Sequence, residues 1–144
     1  MIEDLNVQLS REIRAPREAV FAAWLDPVTL GEFLKPAPGV ELAEVAVDAR
    51  EGGTFGLTMV VGDTRIPIRG IYQRINRFDE LAFSWSSSRT LETSFVTLTF
   101  EEIEPMRTRL TLTHVGFPDR FARNDHDRGW NRILVELDRV LARA

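Results

Sequence analysis

Gly129-Trp130-Asn131-Arg132-Ile133-Leu134-Val135-Glu136-Leu137-Asp138-Arg139-Val140-Leu141 is the stretch on which the fold turns. Trp130, Ile133, Leu134, Leu137, Val140 and Leu141 recur at helical spacing, with Arg132, Asp138 and Arg139 between them. That period predicts an amphipathic helix with one apolar face. A glycine weakens a helix by roughly 1 kcal/mol relative to alanine, so Gly129 beside Trp130 marks a point of close packing. Upstream, Asn124-Asp125-His126-Asp127 reads as the start of this helix, with Asn124 or Asp125 as N-cap and acids near the positive helix end.

Most of the chain before that helix reads as strand. Asn6 to Ile13 alternates and forms a first strand, closed by Ala15-Pro16. Pro16 suits a helix start, where its missing N–H would be unpaired anyway. The helix from Arg17 sets Val20, Phe21 and Trp24 on one face. Asp26-Pro27 breaks it and opens a second short helix carrying Leu30, Phe33 and Leu34, followed by the stiff Lys35-Pro36-Ala37-Pro38-Gly39. Five or six further strands are expected. Val40 to Asp48 changes phase midway, which points to a bulge. Glu51-Gly52-Gly53 is a turn into Phe55, Leu57 and Met59, and Gly62-Asp63 leads into Arg65 to Ile75. There Pro67 argues for an edge or irregular position, one that could pair with another copy in a homodimer. Leu81, Phe83 and Trp85 alternate; Ser86-Ser87-Ser88 reads as a mobile connection. Val96, Leu98 and Phe100 share one strand face, as do Leu110, Leu112 and His114, with threonines opposite. The order is strand, two helices, a meander of strands, and one long helix laid over the sheet: an α+β domain.

Composition narrows the function classes. At 144 residues and 44% hydrophobic content the chain reads as a single domain, 1–144, with a real core. The absence of cysteine excludes disulfide frameworks, thiolate metal sites and cysteine nucleophiles. A net charge of −4 gives no general pull toward nucleic acid. No run approaches the roughly 20 apolar residues of a membrane span. Met1-Ile2-Glu3-Asp4 lacks the basic and apolar regions of a signal peptide, so the expected location is the cytoplasm.

Arg14-Ala15-Pro16 with Val20-Phe21, Asp26-Pro27, Asp48-Ala49-Arg50-Glu51-Gly52-Gly53, Gly70-Ile71-Tyr72 and Gly129-Trp130 resemble one family in order and spacing. It comprises the bacterial relatives of the C-terminal domain of the activator of the ninety-kilodalton heat-shock protein ATPase, within the START-like (SRPBCC), helix-grip superfamily. The resemblance runs from about Val7 to Leu141. It implies a curved antiparallel sheet of six to seven strands, two short helices after the first strand, and a long C-terminal helix across the concave face. Phe21 and Phe33 stand where the family often shows tryptophan. The superfamily contains carriers of lipids and hormones, cyclases and co-chaperone modules, so the fold leaves function open. The eukaryotic activator grips its chaperone through a separate N-terminal domain, which is not expected here, so a small ligand is expected ahead of a chaperone partner.

Candidate chemistry is sparse. His114 is the sharpest single residue, because an imidazole on an apolar strand face can act as acid, base or ligand anchor. His126 reads as a solvated residue at the helix start. His126-Asp127 with Asp125 lacks the i, i+4 pairing of helical zinc sites, so no metal and no cofactor are expected. Glu51-Gly52-Gly53 is followed by a strand, which makes it a hairpin turn and not a phosphate cradle. No serine has a nucleophile-elbow context. The expected site is therefore an apolar pocket between sheet and long helix, walled by Trp24, Phe33, Phe55, Leu57, Met59, Phe83, Trp85, Val96, Leu112, Phe117, Trp130 and Leu134. His114 would be its polar anchor, with Arg69 and Tyr72 as further polar candidates. The expected role is non-catalytic binding of a small hydrophobic or amphipathic molecule. A cyclase- or hydrolase-like enzyme using His114, and a co-chaperone module, are the alternatives.

Overall fold

A computed structural model of the chain describes residues 5–87 and 93–143. Residues 1–4 and Ser88 of the serine run lie outside the described residues. Strand β1 (Val7–Ile13) is followed by helices α1 (Arg17–Ala23) and α2 (Pro27–Phe33). Six strands come next: β2 (Glu41–Val47), β3 (Thr54–Val61), β4 (Thr64–Asn76), β5 (Glu80–Ser87), β6 (Ser94–Glu104) and β7 (Arg107–Val115). Helix α3 (Arg120–Ala142) closes the chain. The strands form one antiparallel sheet in the order β1-β7-β6-β5-β4-β3-β2.

Each alternating apolar set points inward: Phe55, Leu57 and Met59, then Phe83 and Trp85, then Val96, Leu98 and Phe100, then Leu110, Leu112 and His114 are all buried. The predicted bulge lies in β2, whose register slips between Ala43 and Ala46 around Glu44 at φ 57°. Phe55 pairs across the ladder with Gly70 and lays its ring over it; a Cβ there would sit 2.2 Å from the ring and 2.1 Å from the Ser84 carbonyl. Glycine is what lets β3 bring that ring flat onto β4.

The helices share the concave face. At 23 residues, α3 is roughly 34 Å long and spans it, packed against β1 and α2. Helix α2 covers β2, and α1 sits on β6 and β7. Asp26 caps α2, accepting from the Thr29 amide at 2.9 Å and its hydroxyl at 2.6 Å; these donors hold its carboxyl below the usual carboxylate range. Asp138, turned inward on α3, accepts the Arg14 amide at 2.9 Å and pairs with its guanidinium at 3.0 Å, fastening the helix to the end of β1.

Three expectations are corrected. Ser86 and Ser87 are paired residues of β5 and not a connection. Helix α3 begins at Arg120, capped by Asp119, whose carboxylate accepts the Ala122 amide at 2.8 Å, so Asn124 to Asp127 lie inside it. Asp119 follows Pro118 and fills the N-cap role earlier in the chain. Strand β4 is interior; the sheet edges are β1 and β2. Across the ladder to β3, Pro67 pairs with Thr58.

Candidate functional site

The dipeptide Gly129-Trp130 sits where α3 meets both the sheet and the segment after α2. A Cβ on Gly129 would come within 3.0 Å of Pro36 Cβ, so the glycine lets α3 approach that proline. Trp130, 2% exposed, points into the sheet and meets Trp85 at 5.2 Å and Trp24 at 6.3 Å between ring centroids. Around this indole the interior divides into two neighbourhoods.

The first is built on His114 of β7. Trp130 Nε1–H donates to His114 Nδ1 at 2.9 Å. Nδ1 therefore carries no proton, and Nε2–H donates to Ser94 Oγ at 2.6 Å. Ser94 Oγ in turn donates to the Trp85 carbonyl at 3.1 Å. The chain of bonds runs from α3 through β7 and β6 to β5. Phe117 packs on the imidazole at 4.4 Å and His126 at 5.4 Å. Burial first, and the neighbouring His126 second, push the His114 pKa down to about 3, so the ring is neutral at physiological pH. His126 is half-buried inside the helix: it donates from Nδ1 to the Ala122 carbonyl at 2.9 Å and meets Phe117 in a tilted contact at 4.7 Å.

His114 is held within the protein on every side. It is 0% exposed and both ring nitrogens are already bonded.

The second neighbourhood lies beneath α2. A cavity of about 20 Å³ is walled by Trp24, Leu30, Leu34, Phe55, Leu57, Tyr72, Phe83 and Trp85. That volume is about one water molecule's worth. The interior is therefore nearly filled in this state. Five expected residues, Trp24, Phe55, Leu57, Phe83 and Trp85, do come together here. Phe33, Met59, Val96, Leu112, His114, Phe117, Trp130 and Leu134 are buried but line other parts of the core. Leu30 and Leu34 were missed as wall residues; their i, i+4 spacing on α2 was the available signal. Tyr72 is in the wall, and its phenol is pushed up by burial and then by the Asp48 carboxylate, so it stays neutral. The indole N–H groups of Trp24 and Trp85 are buried without a hydrogen-bond partner, in contrast to that of Trp130.

Arg69 points the other way. With Thr54, Gly56, Ile71, Ser84 and Ser86 it borders an open groove of about 730 Å³. These residues alternate with the inward Phe55, Tyr72, Phe83 and Trp85, which puts the groove on the outer face of the sheet. Among the described residues no group of three or more His, Cys, Asp or Glu side chains is arranged to hold a metal ion, and no helix is long and apolar enough to cross a membrane.

A curved seven-stranded sheet gripped by a long C-terminal helix, with two short helices after the first strand, defines a START-like, helix-grip protein. The chain belongs to the family described as activator of Hsp90 ATPase homolog 1-like protein (AHSA1), whose sequence model matches residues 14–142. Solved structures similar to it include a protein from Chromobacterium violaceum, 22% identical with a TM-score of 0.86, over 94% of this chain and 96% of that one. An AHSA1 protein from Silicibacter pomeroyi is 25% identical with a TM-score of 0.83, over 95% and 97% of the two chains. An HSP90 activator from Plasmodium falciparum is 22% identical with a TM-score of 0.75, over 96% and 97%. No curated protein matches the chain.

Proposed function

We propose that this protein binds a small hydrophobic or amphipathic molecule in the interior beneath α2, without chemical turnover. The observation that carries this reading is the cavity itself: a void with an all but apolar wall, roofed by one short helix. Helix α2 has only two turns and is bracketed by Pro27 and by Pro36 and Pro38. Lifting it would enlarge the void without breaking the ladder of the sheet, because the roof residues Leu30 and Leu34 lie on α2 and at its C-cap, not on a strand. The apolar surface of a ligand would then replace the contacts those leucines give up. Tryptophan fluorescence tests the reading directly, since Trp24 and Trp85 both border the void. Titration with a panel of lipids and aromatic metabolites is expected to give a saturable change with at least one compound. A flat response across the panel, with the protein folded, overturns it.

A second reading, a co-chaperone module, is favoured by the family's description and by the Plasmodium falciparum neighbour. It predicts that the chain stimulates the ATPase of the ninety-kilodalton chaperone from its own host. Absence of both binding and stimulation retires it.

A further inference from the structure

We propose that the interior ligand is an uncharged molecule carrying a hydrogen-bond acceptor, of the class of aromatic ketones, esters or quinones, held by the indole N–H groups of Trp24 and Trp85. The inference rests on the interior-binding reading above and adds the polarity of the ligand to it.

Three observations converge. Trp24 and Trp85 are 3% and 6% exposed, and neither indole nitrogen has a partner. A buried donor left unbonded is a standing penalty, and native structures rarely carry one without a reason. Both rings border the same cavity, so a molecule that swells that cavity comes up against both of them. The third tryptophan supplies an internal control: Trp130 is as deeply buried and touches both other indoles, yet its N–H is satisfied by His114. Among the three indoles, the two unpaired donors are those at the void; the one other buried unbonded side-chain donor among the described residues, Arg17 Nε, lies outside its wall.

The wall also limits the ligand's charge. None of the eight lining residues carries one at neutral pH, since the only ionisable group, the Tyr72 phenol, is held protonated. A carboxylate or ammonium would enter unpaired, and burying an unpaired charge is far costlier than burying a carbonyl that accepts one or two N–H bonds. A plain hydrocarbon would fill the space but leave both donors unbonded.

Acetophenone, cumene and benzoate separate these cases, being close in size and differing in the group attached to the ring. The 15N-labelled protein is titrated with each while its three indole N–H resonances are followed. Acetophenone is expected to bind about tenfold more tightly than cumene, the discrimination of one well-made hydrogen bond. It should shift the Trp24 and Trp85 resonances downfield and leave that of Trp130 in place. Trp24→Phe and Trp85→Phe assign the resonances and, combined, should erase the preference for acetophenone. Should either variant fail to fold, through-space contacts in the wild-type spectrum make the assignment. Equal binding of cumene and acetophenone overturns the acceptor inference and leaves interior binding standing. Tightest binding of benzoate overturns the neutral class. No binding by any of the three overturns this inference, and the interior reading is then decided by the lipid and metabolite panel above.

Discussion

The two neighbourhoods flanking Trp130 are built from the same kinds of residue and differ in one respect. Around His114 every polar atom of the chain Trp130–His114–Ser94–Trp85 carbonyl has a partner, and side chains fill the space. Beneath α2 the wall is equally aromatic, but two donors are unbonded and a void of about 20 Å³ remains. Completed networks inside a protein rigidify it, and incomplete ones leave polar groups that an incoming molecule can satisfy. The comparison teaches that the histidine, the residue with the most chemistry, belongs to the fully bonded half, whereas the half proposed to bind a ligand consists of residues that look like plain core.

The sharpest way to break that contrast is to remove the hub of the completed half. His114→Ala deletes a buried ring, leaves the Trp130 N–H without its acceptor and takes away the N–H that Ser94 Oγ accepts, while the Ser94 bond to the Trp85 carbonyl remains. Loss of a buried ring together with an orphaned donor is expected to destabilise the fold by about 4 kcal/mol. Urea unfolding measures it. A loss below about 1 kcal/mol would mean that the chain of bonds holds nothing together.

Acid acts on the same hub. The folded pKa of about 3 lies below the unfolded histidine value near 6.5. Between those limits the unfolded chain binds a proton that the native protein refuses, so stability is full above pH 6.5 and declines as pH falls toward 3. The slope from this one group approaches 1.4 kcal/mol per pH unit. His114→Gln keeps a donor and an acceptor but cannot titrate. The difference in unfolding free energy between wild type and this variant should therefore shrink steadily from pH 6.5 to 4.5. A difference that does not change with pH would place the proton elsewhere.

Much of the fold was legible because its signals are local. Period-2 alternation located the strands, Asp26-Pro27 separated α1 from α2, and the phase change near Glu44 located the bulge. What sequence could not show depends on what lies across the interior. His114 shares its strand face with Leu110 and Leu112 whether it is an anchor or a structural hub, and only the bonds to Trp130 and Ser94 decide between them. Asp138 reads as one charge among several on α3, yet it reaches back to Arg14, 124 residues earlier. Pro67 suggested an edge because a strand's neighbours are set by topology, which no local pattern carries.

The smallest expected effect is the one that bears most directly on the comparison. Trp→Phe at any of the three positions removes similar bulk, so the loss of packing should be alike. The hydrogen-bond terms differ in sign. At Trp130 the change takes the donor from His114 Nδ1 and leaves a buried acceptor unbonded, adding about 1–3 kcal/mol to the packing loss. At Trp24 or Trp85 it removes a donor that had no partner, which returns part of that loss. Trp24→Phe and Trp85→Phe are thus each expected within about 1 kcal/mol of wild type, and Trp130→Phe about 2 kcal/mol below them. Chemical denaturation of the three single variants at neutral pH reads this out. Equal losses at all three positions would make the indoles equivalent and dissolve the division of the interior. A gap confined to Trp130 would show that the two halves differ by whether their donors are already bonded within the protein.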